Sequence, residues 1–259
     1  MAAMTGAIRD LLGRLRPHAA AGHRKLRLGS PHDGGYVVLD DLAGLTAAIG
    51  CGVGYDVTFE EQLAARGIPV HLFDHTVAGL PRPHPLLHFL RRPVAVANSG
   101  LPLALDLAGI VQLCGLQPDS ALLKIDIEGD EWGLFAEAGR AALRPYRQIV
   151  CEFHWLERLQ SPAFFATARE AVANLMRDFA VVHAHANNYA PLVAVEGLQV
   201  PSVLELTLAS RHCYRLGATA EEFPTPLDAP NNPGQPDHLL GKFDYRRRLA
   251  ERLWRRVSV

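Results

Sequence analysis

A glycine-rich turn and an acidic residue further along the chain have the types and spacing of a nucleotide site. The turn consists of Gly50, Cys51, Gly52, Val53 and Gly54, between an apolar run and a helical pattern. Glycines at such a place let backbone amides approach a ligand closely. The next apolar run ends at Asp74, twenty residues beyond Gly54, where a carboxylate accepts hydrogen bonds from ribose hydroxyls. Together they predict a nucleoside-containing cofactor.

NAD(P) and S-adenosylmethionine both suit this arrangement. A dinucleotide fingerprint needs a further glycine three positions after the Gly52-x-Gly54 pair, and this chain has Val57 there. Glu60 and Glu61 open the following helix and weaken its attraction for a pyrophosphate. S-adenosylmethionine carries no phosphate, so the pattern favours it. An NAD(P)-dependent oxidoreductase and a non-catalytic nucleoside-binding module stay open as alternatives.

Carboxylates and histidines end three further strand patterns. Asp126 and Glu128 lie where an apolar run turns into an acidic helix start. Glu152 and His154 are two residues apart and share one face of the next predicted strand. His185 ends a later strand in the same manner. We therefore expect Asp126, Glu152, His154 and His185 to converge at one edge of the sheet.

Two kinds of chemistry fit this cluster. With Asp126 beside the donor, His154 removes the proton of an acceptor hydroxyl as its oxygen attacks the methyl group. Alternatively, a divalent metal ion lowers the pKa of that hydroxyl and orients it, and its ligands would be Asp126, Glu152, His154 and His185. A third possibility, in which the histidines only satisfy strand ends, also stays open.

The elements that position these residues alternate regularly. Strands are predicted over residues 46–49, 70–73, 86–90, 122–125, 148–153, 179–185 and 203–208. Helices are predicted near residues 59–66, 103–114, 131–143 and 162–177. This βαβ alternation predicts an α/β fold with a largely parallel sheet, helices on both faces, and ligands at the carboxyl ends of the strands.

The two ends of the chain add to this core. An amphipathic helix ending at Pro17 and a hairpin through Asp33, Gly34 and Gly35 are predicted before it, in residues 1–45. The methyl-donor domain is predicted over residues 46–215. Residues 216–259 are predicted to wrap the domain irregularly, through the proline-rich stretch 223–236, and to end in a basic helix over 245–256.

The order of these motifs resembles the FkbM-type methyltransferases. The segment KIDIEGDE at residues 124–131 is similar to the hallmark of that family, and DGGYVV at 33–38, IGCGVGYDVTFE at 49–60 and LFDHT at 72–76 agree with it in order. The resemblance implies a Rossmann-like class I methyltransferase fold whose final strand is antiparallel. It further implies S-adenosylmethionine as donor and a hydroxyl acceptor on a sugar or other small molecule.

The resemblance also implies residue roles. The turn from Gly50 to Gly54 would hold the methionine moiety and Asp74 the ribose, with Asp126 and Glu128 beside the donor. Adenine would lie near Asn98 and Ser99. The first strand has Ala48 and Ile49 where the family has an acidic residue, so Glu60 or Asp33 is expected to contact the amino group of the donor. His75, which follows the ribose carboxylate, is expected to pack beside the cofactor.

Composition limits the other possibilities. With 259 residues, 49% apolar and 20% charged, the chain can bury a sizeable core. A net charge of -1 argues against a general nucleic-acid binder. Four cysteines without a CxxC pair predict reduced thiols and a cytoplasmic location. Polar residues interrupt the apolar stretches, so stable membrane insertion is not expected. The sequence leaves the oligomeric state open.

Overall fold

The computed structural model describes residues 2–243 and residue 245. Its strands are β1 (His18–Ala20), β2 (Lys25–Gly29), β3 (Gly35–Leu39), β4 (Ala47–Cys51), β5 (Val70–Phe73), β6 (Leu87–Leu90), β7 (Ala121–Ile125), β8 (Tyr146–Phe153), β9 (Phe179–Ala186), β10 (Leu192–Val195), β11 (Leu198–Pro201), β12 (Leu204–Ser210) and β13 (Leu216–Ala218). Its α-helices are α1 (Ala2–Arg14), α2 (Thr58–Ala64), α3 (Leu107–Cys114), α4 (Glu131–Glu137), α5 (Arg140–Leu143) and α6 (Pro162–Asp178), and a 3-10 helix (Leu156–Gln160) precedes α6.

Seven strands form the central sheet, in the spatial order β6-β5-β4-β7-β8-β12-β9. Neighbouring strands are parallel except at β12, which lies between β8 and β9 and runs antiparallel to both. Each of the seven predicted strands is present in this sheet, with its ends within two residues of the prediction. The predicted α/β fold with a largely parallel sheet is therefore confirmed.

Different layers cover the two faces of the sheet. On one face, side chains such as Ile49 and Leu123 pack against α1, α3, α4 and α6. On the other face, Ala48 and Leu122 pack in a second cluster with α2 and the hairpin of β2 and β3. Burial on both faces explains why β4 has no charged residue and β7 has only one, Lys124. Helices lie on both faces, as predicted, but the hairpin shares one face with α2.

The predicted helix over residues 131–143 is wrong in its continuity, because the chain forms α4 and then α5. The backbone is extended at Gly139, the N-cap of α5, and glycine is a poor helix former. Asn174 of α6 holds the end of α4, since its Nδ2 atom donates to the carbonyls of Phe135 and Ala136 at 3.2 and 2.9 Å. These bonds satisfy carbonyls that a helix end leaves unpaired.

The described segments before and after the sheet strands pack onto the sheet layers. The N-terminal helix and the hairpin are confirmed as α1 and β2–β3. After β13, which pairs with β1, residues 223–240 form an irregular segment that we call the strap. The predicted basic helix over 245–256 lies outside the described residues, apart from Tyr245. None of the helices within residues 2–243 combines the length and apolar character needed to cross a bilayer.

Candidate active site

A cavity of about 570 Å³ opens at the carboxyl ends of β4, β5 and β7. It lies where the strand order reverses, because the chain runs outward from β4 through β5 and β6 and then returns to β7 on the other side. Ligands of doubly wound sheets bind at this place, and the volume is typical of small-molecule sites. The predicted residues that line it are Asp33, Gly52, Val53, Gly54, Asp74, His75, Asp126 and Glu128.

The glycine turn fits closely against the end of β7. Gly52 has a φ of +80°, and a Cβ atom there would lie 1.6 Å from the carbonyl oxygen of Asp126. Gly54 has a φ of +57° with open space around it. Packing and backbone conformation both require glycine at position 52, whereas only backbone conformation favours it at position 54. The turn begins at Gly52, because β4 continues through Cys51.

Four residues predicted at the glycine turn or near adenine do not line the cavity: Gly50, Cys51, Asn98 and Ser99. Cys51 is fully buried among the apolar side chains beneath the helices. Gly50 lies inside β4, where a Cβ atom would meet Leu72 at 2.5 Å. Asn98 is an exposed loop residue outside the cavity wall. The first two positions were misplaced because the sheet hydrogen bonds extend two residues further into the glycine motif than the apolar pattern does.

Asp74 organises the glycine turn. Its Oδ2 atom accepts from the amides of Val53 and Gly54 at 2.8 and 3.3 Å, and its Oδ1 atom accepts from the amide and hydroxyl of Thr76 at 2.7 and 2.6 Å. Burial alone would raise the pKa of Asp74, but these hydrogen bonds hold it below the ordinary value. A carboxylate offers about four acceptor sites. The carboxylate predicted to bind ribose therefore already accepts hydrogen bonds from protein donors, and the two amides predicted to face the ligand already donate to that carboxylate.

The two carboxylates expected at the amino group of the donor lie in different places. Asp33 lines the cavity. Glu60 does not, because its side chain is only 1% exposed and its Oε1 atom lies 3.2 Å from the Nζ atom of buried Lys124. Of the two alternatives, the geometry leaves Asp33 in reach of a ligand.

His154 lies just behind the cavity wall, where Glu131 fixes its ring. Its Nδ1 atom is 3.0 Å from Glu131 Oε1. The same oxygen accepts from the backbone amides of Ile127 and Gly129 at 3.0 and 3.2 Å. Since a carboxylate only accepts, the geometry assigns a hydrogen to Nδ1 and directs Nε2 away from Glu131.

The Nε2 atom of His154 faces the acidic loop. It lies 3.9 Å from Asp126 Oδ1 and 3.5 Å from Glu128 Oε2, and both carboxylates line the cavity. Burial lowers the pKa of His154, but the hydrogen bond to Glu131 and the surrounding negative charges outweigh it, so the pKa lies above its ordinary value. His154 itself does not line the cavity, so it can act on a ligand there only through Asp126 and Glu128, which do.

Asp126 joins the cavity to a buried group of polar side chains. Burial raises the pKa of Asp126 to about 6, assisted by the charge of Glu128 and opposed by that of Lys124. Its Oδ1 atom is buried without a hydrogen-bond partner among the described residues. Burial and the charge of Asp126 also raise the pKa of Glu152 well above its usual range. One ligand atom each from Asp126, Glu152 and His154 lies within 4.8 Å of the others.

His185 does not join this group, so the predicted convergence of four residues is wrong for it. Strand β12 places Glu205 directly between Glu152 of β8 and His185 of β9. Adjacent strands are separated by about 4.8 Å, so His185 lies two strands away from Glu152. Its Nδ1 atom is 3.0 Å from Glu205 and its Nε2 atom 3.0 Å from Asp237 of the strap. Both ring nitrogens are thus engaged elsewhere.

No protein-family model matches this chain, and no curated protein matches its sequence. A functional assignment therefore depends on the geometry and chemistry of the site residues themselves.

The sequence did not single out Trp155 as a site residue. It lines the cavity, with a φ of +61°, in the left-handed region that non-glycine residues rarely occupy. Gly129 makes room for it, since a Cβ atom on Gly129 would lie 2.3 Å from the indole ring. Glu128 also has a left-handed φ, of +57°. Strained residues on two loops at one cavity are typical of functional sites. In the sequence, the one hint of this arrangement is a glycine at position 129, which leaves room for a large side chain.

Proposed function

We propose that this protein is an S-adenosylmethionine-dependent methyltransferase that methylates a hydroxyl group on a sugar or other small molecule. The observation that carries the proposal is the cavity beside the Gly52–Gly54 turn, whose wall is strongly acidic. The carboxylates that line it are Asp33, Asp56, Asp74, Asp126, Glu128 and Asp130. Lys124 is the sole lysine or arginine among the described lining residues. A wall of this charge suits a ligand that carries a sulfonium and an ammonium group.

The topology is consistent with the proposal. The resemblance to FkbM-type methyltransferases implies an antiparallel final strand, and β12 is the antiparallel member of the sheet. Gly52 to Gly54, Asp74 and the acidic loop from Asp126 to Glu128 all line one cavity, so the motifs on which the resemblance rests meet at one place.

The same cavity is poorly suited to the pyrophosphate of NAD(P). The amides of Val53 and Gly54, which would face phosphate oxygens, donate to Asp74. The helix that follows the turn, α2, has seven residues and carries Glu60 and Glu61 in its first turn. Negative charge at that end opposes an anionic ligand. These features favour the methyl donor over the oxidoreductase alternative.

The proposed reaction is an in-line displacement. The acceptor oxygen forms a bond to the methyl carbon, the carbon–sulfur bond breaks with its electron pair remaining on sulfur, and the hydroxyl proton passes to the protein. Asp126 receives this proton, because it lines the cavity and has a pKa of about 6. His154, whose Nε2 atom lies 3.9 Å from Asp126 Oδ1, stabilises the negative charge of Asp126 before the transfer. Alignment of oxygen, carbon and sulfur supplies most of the rate increase, with the base adding about 10² to 10⁴-fold.

A metal-assisted version of this chemistry has its own supporting observation. Asp126, Glu152 and His154 bring three ligand atoms together, and Asp126 Oδ1 lacks a partner among the described residues. Two carboxylates and an imidazole suit a divalent cation, which would lower the pKa of the acceptor hydroxyl. If chelation leaves methyl transfer unchanged, the metal-assisted version is excluded and the metal-free base remains.

Two experiments test the proposal, first a measurement of donor binding and then an assay of methyl transfer. Isothermal titration with S-adenosylhomocysteine is expected to give saturable binding, and NAD and NADP are expected to give none. A reversed pattern would support the oxidoreductase. Methyl-labelled S-adenosylmethionine with a panel of sugars and polyols is then expected to label an acceptor. Donor binding without label transfer to any acceptor would instead indicate a non-catalytic binding module.

Variants separate catalysis from donor binding. Asp126→Asn and His154→Ala are each expected to reduce label transfer by at least about 10²-fold, while S-adenosylhomocysteine still binds. Glu170→Gln, on the exposed face of α6, is the matched control and is expected to behave as wild type. Full activity in both site variants would overturn the assignment of the base.

A further inference from the structure

Lys124 is a buried cation at the floor of the candidate donor cavity. Its side chain is 6% exposed, and it lies near the end of β7 on the face that α2 and the hairpin cover. The Nζ atom is 3.2 Å from Glu60 Oε1 and 3.5 Å from the carbonyl oxygen of Gly52. It also lies 5.6 Å from the centre of the Tyr36 ring. Lysine is thus fixed beside the glycine turn from three directions.

The ammonium group retains capacity for a ligand. A lysine has three N–H donors. Among the described residues, the carbonyl oxygen of Gly52 accepts a hydrogen bond from one of them at 3.5 Å, and Glu60 forms an ion pair with the ammonium group at 3.2 Å. The carboxylate of Glu60, 3.2 Å away and buried with it, favours the charged form of the ammonium group. Lys124 also lines the cavity, which places this charge in contact with its contents.

The other residues that line the cavity make the positive charge of Lys124 stand out, because they are mostly acidic. Every other charged side chain on the described lining, apart from His75, is a carboxylate. A ligand carboxylate is therefore repelled by most of the wall and is attracted at Lys124. The amino-acid end of S-adenosylmethionine carries both an ammonium and a carboxylate, and the acidic residues beside Lys124 suit the ammonium.

We propose that Lys124 binds the carboxylate of the methyl donor, so that recognition of the amino-acid end depends on a lysine held by Glu60. The inference rests on the proposed function and adds a residue role to it. Glu60 acts as a positioning residue, because it fixes the ammonium below the glycine turn without lining the cavity itself.

The test compares S-adenosylmethionine with its decarboxylated form, which keeps the adenosine, the sulfonium and the amine. Wild type is expected to bind the complete donor about 10- to 100-fold more tightly, as lost hydrogen bonds to charged groups imply. In Lys124→Met combined with Glu60→Gln, this preference is expected to fall below about 3-fold. The second substitution avoids leaving a buried carboxylate unpaired. Dissociation constants from isothermal titration provide the ratio.

Glu170→Gln, on the exposed face of α6, is the matched control and is expected to keep the wild-type preference. Glu60→Gln alone removes the carboxylate that holds Lys124, so the preference for the carboxylate-bearing donor is expected to fall below that of wild type, and an unchanged or larger preference would overturn the positioning role of Glu60. Equal weakening of both ligands in the double variant, with the preference intact, would overturn the role of Lys124 while leaving the proposed function standing. Absence of binding of either ligand to wild type would instead overturn the proposed function. Circular dichroism verifies that each variant is folded.

Discussion

Glu131 Oε1 and His154 Nδ1 lie 3.0 Å apart, and the side chain of Glu131 is completely buried. The same oxygen accepts hydrogen bonds from the amides of Ile127 and Gly129. One carboxylate oxygen therefore fixes both the acidic loop after β7 and the histidine after β8. Glu131 therefore links the position of the loop that carries Asp126 to the position of the His154 ring.

Glu131→Ala is expected to lower the free energy of unfolding by about 3 to 5 kcal/mol, because it leaves two backbone amides and an imidazole without their buried acceptor. Glu131→Gln keeps an acceptor oxygen at the same place, and we expect a loss of about 1 to 2 kcal/mol. Urea unfolding measures both. Glu137→Gln, exposed at the end of the same helix, is expected to be neutral. Equal losses for the Ala and Gln variants would contradict this account.

Asp126→Asn is expected to stabilise the protein at neutral and alkaline pH. The folded-state pKa of Asp126, about 6, lies above the unfolded value of about 3.9. The folded protein therefore binds more protons between these values, and the associated stability is lost as pH rises through about 6. Asparagine carries no charge, so the variant should exceed wild type by about 2 to 3 kcal/mol at about pH 8.

Near about pH 4 that advantage should disappear, because Asp126 is then protonated in the folded wild type. Urea unfolding at both pH values, with a chelator present, measures the difference. The exposed Glu170→Gln variant serves as the control. A variant that is less stable than wild type at about pH 8 would show that the charged form of Asp126 is favoured by its surroundings.

Gly52 and Gly54 form a matched pair of substitutions. Gly52→Ala introduces a Cβ atom 1.6 Å from the backbone oxygen of Asp126, so the turn must move. We expect a loss of stability of more than about 3 kcal/mol. Gly54→Ala meets open space and bears only the cost of a left-handed backbone, about 1 to 2 kcal/mol. Thermal unfolding compares them, and similar losses would argue against the close contact between the turn and β7.

The strands were predictable because each is a mainly apolar stretch of four to eight residues. Asp74 and Asp126 were placed at one cavity for the same reason, since parallel strands end at a common edge. The predicted cofactor turn was wrong only at its first two residues, Gly50 and Cys51, which belong to β4. Local periodicity thus located the candidate site to within a few residues.

The periodicity of the sequence predicts which segments are strands, but it does not predict the order in which the strands lie side by side in the sheet. The insertion of β12 between β8 and β9 puts Glu205 between Glu152 and His185, and this removes His185 from the predicted cluster. The pairing of Glu60 with Lys124 likewise depends on how α2 packs over the sheet. Both corrections arise from contacts between elements that are distant in sequence.

His185 instead fastens the strap to the sheet, between Glu205 of β12 and Asp237 of the strap. Replacing it with Asn leaves two carboxylates facing each other across a buried site, and we expect a loss of about 3 to 5 kcal/mol at neutral pH. The strap should also become more sensitive to limited proteolysis. His88→Asn, on the exposed face of edge strand β6, is the control.

The effect of His185→Asn is expected to depend on pH. Burial lowers the pKa of His185, but hydrogen bonds with Asp237 and Glu205 dominate and raise it to about 10. The folded-state pKa therefore exceeds the unfolded value of about 6.5, so the stabilisation is fully present below about pH 6.5 and is lost as pH rises through about 10. The stability difference between wild type and variant should accordingly shrink between about pH 7 and pH 10. Urea unfolding across this range measures it, and a constant difference would mean that His185 holds the strap as a neutral ring.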